Sequence, residues 1–402
     1  MIVTLPFSPY FNGERRQPTP GGLIVTVRAD LIIVGAGLAG ASAALVAARR
    51  GLNVVVLEAF GPAHRNGSSH GSARIFRRAY PDPLYVRLTG ESGQRWRALE
   101  AAADERLLTM TGAIDFGADR EPERLHQVLT ECGVPAELRP APAAAERWPF
   151  IDFDGVGLVM FHEDAGVLDP DRAIAAMLRL ATASGADVRF DTRVEKLATA
   201  ADGGAVAVTA GQTFTAPVAV VAAGPWIAPL LAGLVELPTL TVTQQQVFHF
   251  APAEGREAEP WPVFIHFDGS GYRYGLPGGR DGGAPGAVKI GEHDPGQATT
   301  AADRDFRIDP AARDRVRAFV ADRLPGLDPA PANEASCLYT WTANEDFILD
   351  RPGGGPFVVA SPCSGHGAKF APLLGEIIAD LAAGRPSPDP RFTLAAHLAG
   401  QP

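Results

Sequence analysis

Three glycines spaced Gly35-x-Gly37-x-x-Gly40 follow the apolar run Leu31-Ile32-Ile33-Val34 and precede an alanine-rich stretch that ends at Arg50. In a strand–turn–helix of this kind the first glycine makes the turn and the second lets backbone approach a pyrophosphate. The third lets the helix pack closely, and the helix N-terminus faces the phosphates. Glu58 comes 18 residues after Gly40, at the end of the apolar run 54–57, where a carboxylate can accept hydrogen bonds from ribose hydroxyls. The glycine pattern alone is a weak signal. Joined to a strand, a helix and a terminal acid, it reads as a dinucleotide site. Glu58 does not separate NAD from FAD, since both carry an adenosine ribose. No second GxGxxG lies between a strand and a helix, so a bound flavin would take its electrons directly from a substrate.

A second set of chemically able residues is basic. The segment 66–80 reads NGSSHGSARIFRRAY and holds Ser68, His70, Arg74, Arg77 and Arg78; Lys289 lies in VKIGEH, Cys337 in CLYT, and Lys369 in SGHGAKF with Gly365, His366 and Gly367. A guanidinium can grip a carboxylate through two parallel hydrogen bonds, and an ammonium adds a point charge. Each residue also has a plain reading. Clustered arginines usually form a solvated face, a strand lysine usually faces water, and a free cysteine is usually a small buried hydrophobe.

In this order, over about residues 30 to 395, the motifs resemble the monomeric sarcosine oxidase and N-methyltryptophan oxidase family. The resemblance implies an α/β (α+β) protein in which a Rossmann-type FAD-binding domain is interleaved with a mixed-sheet substrate domain. It implies that Cys337 is joined to the 8α carbon of FAD, that Arg77 and Lys369 hold the substrate carboxylate, and that Arg74 lies beside the flavin. Lys289 is implied to lie over the ring and activate O2, where a fixed cation stabilises superoxide without supplying a proton. His70 and His293 are implied to act at the flavin and substrate pocket, with Tyr274 and Tyr339 as its walls. Ser68, Gly365, His366 and Gly367 are implied to contact the cofactor. Positive charge and helix dipole at Lys369 would stabilise the reduced flavin. Arg78 has no assigned role and reads as structural.

The implied reaction is oxidation of a secondary, N-methyl or cyclic, amino acid to an imine, with O2 reduced to H2O2. An aliphatic amine has a pKa near ~10, so cations near the nitrogen help by favouring its neutral form. The glycine-rich connection from Tyr274 to Lys289, Ala368 and Trp341 depart from the compact sarcosine oxidases in a direction that admits a larger substrate. Two other readings stand beside this one: a noncovalent FAD amino acid oxidase or dehydrogenase of the wider superfamily, in which Cys337 is merely packed, and a non-catalytic flavin-binding module.

These residues need a scaffold, and the sequence sketches one. The runs 31–34, 54–57, 217–224 and 357–360 lack polar alternation, as parallel strands covered on both faces do. Residues 41–50 form a helix capped by Gly51, the alternating stretch 188–214 suits an antiparallel meander, and Leu373, Leu374, Ile377, Ile378 and Leu381 share one helix face. The expected division is an N-terminal extension 1–29, an FAD-binding domain from 30–109, 166–234 and 337–402, and a substrate domain from 110–165 and 235–336. Beyond a Pro/Ala segment at 140–145 and a glycine-rich loop at 278–286, no low-complexity tract or repeat is evident.

The 402 residues suffice for two cooperating cores, and 36 basic against 46 acidic residues, a net charge of −10, argue against a nucleic-acid or anionic-membrane partner. The apolar segment 216–242 is broken by Pro217, Gly224, Pro225, Pro229, Gly233 and Pro238, and reads as a strand, a turn and a short helix rather than a membrane span. Cys132, Cys337 and Cys363 are too dispersed for a disulfide framework, and no spacing suggests a metal site. The first 30 residues lack a secretory pattern. The cytoplasm is therefore the expected compartment, and the family resemblance implies a monomer whose partners are a small secondary amino acid and O2.

Overall fold

The computed structural model describes residues 25–400 with the exception of 295, so most of the expected N-terminal extension lies outside the described residues. Residues 25–28 were expected within that extension. They instead form strand β1 (Val25–Arg28), paired in parallel with the strand Gln212–Ala216. The apolar runs then give β2 (Leu31–Val34), helix α1 (Leu38–Arg49) and β3 (Val54–Leu57). α1 ends at Gly51, whose φ of +84° is open to glycine at little cost.

β2 and β3 lie in a six-stranded sheet ordered Asp187–Arg189, β3, β2, Val218–Val221, Phe357–Ser361, Ile348–Asp350, parallel except for the last strand. Alternate residues feed two cores. Ile33, Val56, Val220 and Val358 face α1 and the helices Pro170–Ala183 and Ala371–Ala382, whereas Ile32, Val55, Val221 and Val359 face the meander Val194–Thr199, Ala205–Thr209, Gln212–Ala216. Burial on both faces explains why these strands carry no polar positions. The segment 216–242 divides into the strand Val218–Val221, a single 3-10 turn and the short helix Ile227–Leu231. Among the described residues no helix is long and apolar enough to cross a membrane.

The second layer is a nine-stranded mixed sheet. Its long strand Thr241–Pro252 pairs with Leu327–Trp341 on one side and Val288–Glu292 on the other; Gly271–Pro277, Val263–Asp268, Ala113–Phe116, Leu158–His162 and Glu137–Pro140 continue from there. An aromatic-rich core with Phe116, Phe248, Phe264 and Trp261 packs the helix Pro310–Arg323 against this sheet. The Pro/Ala segment belongs to a helix, Ala141–Arg147. The boundary expected between 336 and 337 falls inside the strand Leu327–Trp341, which starts at Leu327 in this aromatic-rich core. A three-stranded sheet of β4 (Arg74–Arg77), Ala165–Leu168 and Leu108–Met110 likewise crosses the boundaries near 110 and 165.

Candidate functional site

The glycine turn lines a trench of about 710 Å³ that runs past Glu58, His64, Trp226 and Arg179. Gly35 has φ +99°, and a Cβ there would stand 2.6 Å from the Ala222 carbonyl oxygen; a Cβ on Gly40 would stand 1.9 Å from the Gly35 carbonyl oxygen. Both glycines are therefore fixed by close backbone packing. Gly37 is different: a Cβ would meet only the Ser69 side chain, and the residue borders both this trench and the cavity described below.

Gly37, before α1, has no side chain to cap it, the first turn carries no acid, and only the neutral Ser69 Oγ accepts from the Leu38 N–H at 3.2 Å, so the positive end of the helix is left without a negative charge and suits an anion. Glu58 is 6 % exposed and accepts from the backbone N–H of Ala36 (2.7 Å) and Phe60 (3.1 Å), with His64 Nε2 at 3.3 Å. Burial pushes its carboxyl up, but the hydrogen bonds from His64, Ala36 and Phe60 outweigh that and hold it below the ordinary carboxylate range. It therefore stays an acceptor at neutral pH. The acid-free helix end, the missing Cβ at Gly37 and the ionised acid fit the pyrophosphate and ribose of FAD.

Beyond Gly37, Ser68 and Ser69 the trench meets a cavity of about 830 Å³ with a basic lining. Arg74, Arg77, Lys289 and Lys369 all reach it, and among the described residues none of the four has a carboxylate within ion-pair distance. β4 supplies both arginines. Arg74 donates to the carbonyl oxygens of Ala73 (2.9 Å), His70 (2.7 Å) and Ser68 (3.2 Å), so loop backbone alone orients it. Arg77 donates through Nη2 to the Tyr272 hydroxyl at 3.3 Å, while its buried Nη1 has no hydrogen-bond partner. Arg78 points away, to Asp164 (3.2 Å) and the Val86 carbonyl oxygen (3.1 Å), in keeping with a structural role.

Lys369 lies in the 3-10 turn Gly367–Phe370 that leads into the helix Ala371–Ala382. Its Nζ donates to the Tyr80 hydroxyl (2.9 Å) and the His366 carbonyl oxygen (3.0 Å). Its own carbonyl oxygen accepts from Ser92 Oγ (2.7 Å) and Trp96 Nε1 (2.8 Å) of the helix Pro83–Ala103. Burial, aided by the Arg77 charge, drives the ammonium well below its ordinary pKa. Lys289, on Val288–Glu292, donates to the Ala73 carbonyl oxygen at 3.2 Å, and burial followed by the Arg74 charge lowers its pKa to about 7. Both ammonium groups would gain from an anion in the cavity.

Cys337 is 5 % exposed and lines the same cavity, two residues before Tyr339, which faces it too. Tyr274 and His293 complete this wall. Burial, with Cys337 nearby, pushes the Tyr274 phenol up to about 12, and burial beside Tyr274 raises Tyr339 well above its usual range. Gly365, with φ +75°, packs so closely on the Tyr339 ring that a Cβ would lie 2.5 Å from it. His366 borders the cavity and is also built into an aromatic cluster: it stacks on Phe347 at 4.8 Å, and its ring nitrogens meet the Tyr80 hydroxyl (3.2 Å) and the Glu345 carbonyl oxygen (3.0 Å). His70 borders the trench rather than the basic cavity. Burial and the nearby Arg74 charge keep it neutral, with a pKa lowered to about 2.

The fold also brings here several residues that no sequence motif singled out. Tyr80 stands between the two expected carboxylate ligands, with the Arg77 guanidinium 4.8 Å from its ring and Lys369 on its hydroxyl. Its place directly after the arginine cluster was the available signal. Tyr272, Arg120 and Cys363 also line the cavity, and none of them lies in a motif that would have marked it.

Known proteins are similar to this chain in sequence and in fold. The FAD dependent oxidoreductase (DAO) family matches residues 30–381. An N-methyl-L-tryptophan oxidase of Yersinia pestis is 32 % identical over 369 residues, which is 89 % of this chain and 96 % of that protein. Among solved structures, NikD, an unusual amino acid oxidase essential for nikkomycin biosynthesis, is similar with a TM-score of 0.82 and 26 % identity, covering 92 % of this chain and 98 % of its own. Glycine oxidase from Geobacillus kaustophilus, at 20 % identity and a TM-score of 0.75, covers 92 % of this chain and 98 % of its own and shares the fold.

Proposed function

The chain belongs to the FAD dependent oxidoreductase family and is an amine-oxidising flavoenzyme, and we propose that it oxidises secondary amino acids, N-methylated or cyclic, to imines while O2 is reduced to H2O2. The observation that carries this reading is the set of four basic side chains, Arg74, Arg77, Lys289 and Lys369, around one cavity, none of them within ion-pair distance of a carboxylate among the described residues. A buried charge without a counterion is costly, so such a site is suited to an anionic ligand. When bound, FAD supplies the two-electron acceptor that takes a hydride equivalent from the carbon next to nitrogen and passes the electrons to O2.

The chain's own residues account for the rest. Arg77, with Nη1 unpartnered, and Lys369, held by Tyr80, take the substrate carboxylate. That places the amine among fixed cations, which favour its neutral form and so expose its lone pair. Lys289, anchored on the Ala73 carbonyl, gives O2 a positive charge to reduce against. Tyr274, Tyr339 and His293 wall the space beside the amine. Cys337 is the residue through which we infer covalent attachment of FAD, and His70, on the trench side, stays neutral with its buried Nε2 unpartnered and so available to a cofactor atom.

The test is anaerobic bleaching of the flavin by sarcosine, N-methyl aromatic amino acids, proline, pipecolate and glycated amino acids. Bleaching by at least one secondary amino acid, with H2O2 released on adding air, is expected. A flavin that stays oxidised across this set defeats the reading. Acid precipitation of the same protein should leave the colour in the pellet, and in the supernatant for Cys337→Ser.

A further inference from the structure

Asp115 and Arg120, at and just beyond the strand Ala113–Phe116, form a pair that the roles above leave unused. Asp115 is wholly buried, on the strand face opposite Ile114 and Phe116, which belong to the aromatic-rich core. Its Oδ1 accepts from Arg120 Nε at 2.7 Å and lies 2.6 Å from Nη2, while Oδ2 has no hydrogen-bond partner. A buried ion pair of this kind is poor as a stabilising device, because desolvation of both charges offsets their attraction. A binding role accounts for it better.

Three observations say what would be bound. Arg120 lines the basic cavity, whereas Asp115 stands behind it and does not. Among the described residues the remaining arm of the Arg120 fork, Nη1, makes no hydrogen bond. Its guanidinium also stands 5.8 Å from the ring centre of Tyr272, the residue whose hydroxyl accepts from Arg77 at 3.3 Å. One phenol therefore separates Arg120 from the arginine assigned to the substrate carboxylate. The Tyr272 oxygen already accepts, and its own proton has no acceptor among the described residues. The other titratable groups packed around the pair are His162, kept neutral by burial, and Tyr80.

We propose that Arg120, braced from behind by Asp115, is a specificity-determining residue that reads a second acidic group of the substrate, so that the cavity takes an N-substituted dicarboxylic amino acid. This rests on the secondary-amine reading above and names its substrate class. Arg77 and Lys369 take the α-carboxylate; Arg120 Nη1 and the Tyr272 O–H take the second one. An apolar side chain in this place would leave both donors unsatisfied, and sites built to hydrogen-bond a group discriminate strongly against analogues that lack it.

The test compares kcat/KM of the holoenzyme for N-methylaspartate and N-methylglutamate with that for N-methylalanine and N-methylleucine. The acidic substrates are expected to lead by roughly tenfold or more, and Arg120→Gln to erase the lead mainly through KM, with Arg120→Lys recovering part of it. Because Arg120→Gln strands the Asp115 charge, the double variant Asp115→Asn/Arg120→Gln is measured alongside, and the same loss is expected. A lead for the neutral substrates, or an acidic-to-neutral ratio that neither variant moves, overturns the proposal. Perturbation of the flavin absorption by succinate and by butyrate decides the role of Arg120 separately from turnover. Tighter succinate binding that Arg120→Gln abolishes supports it, and equal binding of the two acids overturns it. If no amine is oxidised, the oxidase reading fails, while the contrast between succinate and butyrate still decides for or against Arg120.

Discussion

At the scale of residues, the basic lining divides into two groups, for which the proposed function implies separable tasks. Arg77 and Lys369 meet around Tyr80, whereas Lys289 and Arg74 are both fixed on the backbone of the 68–73 loop, through the carbonyl oxygens of Ser68, His70 and Ala73. If Lys289 serves only the oxygen half-reaction, Lys289→Met should leave the anaerobic rate of flavin reduction within about threefold of the parent and slow reoxidation by roughly a hundredfold or more, as loss of a fixed charge at a developing anion does. Stopped-flow absorbance measures the two rates separately, and equal losses in both would refute the division. The pH dependence has a definite sign. Burial and the Arg74 charge lower the pKa of Lys289 to about 7, so its ammonium is present below that pH and lost above it. Reoxidation should slow as pH rises through the lysine's pKa, a limb that Lys289→Met should lack.

At the scale of elements, the glycine turn is set by contacts that can be tested one at a time. Alanine at Gly40 would drive a methyl to 1.9 Å from the Gly35 carbonyl oxygen, so α1 would have to move away from β2. Gly51, at the other end of α1, has open space around it and only its positive φ to lose. Gly40→Ala should therefore cost at least about 2 kcal/mol in urea unfolding and weaken FAD retention, whereas Gly51→Ala should cost about 1 kcal/mol and leave FAD bound. Comparable losses for the two would show that backbone approach does not govern the turn. These elements were legible in the sequence because each carries its own local signal: unbroken apolar runs for strands covered on both faces, an alanine-rich helix, a glycine at each bend. The basic motifs were legible for the same reason, being contiguous. Asp115, Arg120 and Tyr272 were not, because what brings Tyr272 to the other two is the parallel pairing of Ala113–Phe116 with Val263–Asp268 and the antiparallel pairing of that strand with Gly271–Pro277. Residues 25–28 were missed because a four-residue strand joining the meander from outside has no periodicity to show.

At the scale of the whole molecule, the trench proposed for FAD draws on residues from β2, β3, the 60–70 loop, the helix Pro170–Ala183 and the 222–230 turn, so a ligand there ties together segments distant in the chain. Binding and folding are then linked: FAD at a hundred times its Kd should raise the unfolding free energy of noncovalently reconstituted Cys337→Ser by about 2.7 kcal/mol, read from the shift in urea midpoint. No shift would place the ligand outside these segments. The strand Leu327–Trp341 sets a further condition on how such a molecule can change. Residues 333–341 pair in unbroken register with Thr241–Pro252, and Cys337 and Tyr339 sit two apart on the cavity side. One residue inserted before Cys337 in that stretch would put every later side chain out of phase, sending thiol and phenol outward and Leu338 inward. Insertions and deletions are thus excluded from residues 333–341, and there new chemistry can enter only by exchanging one side chain for another.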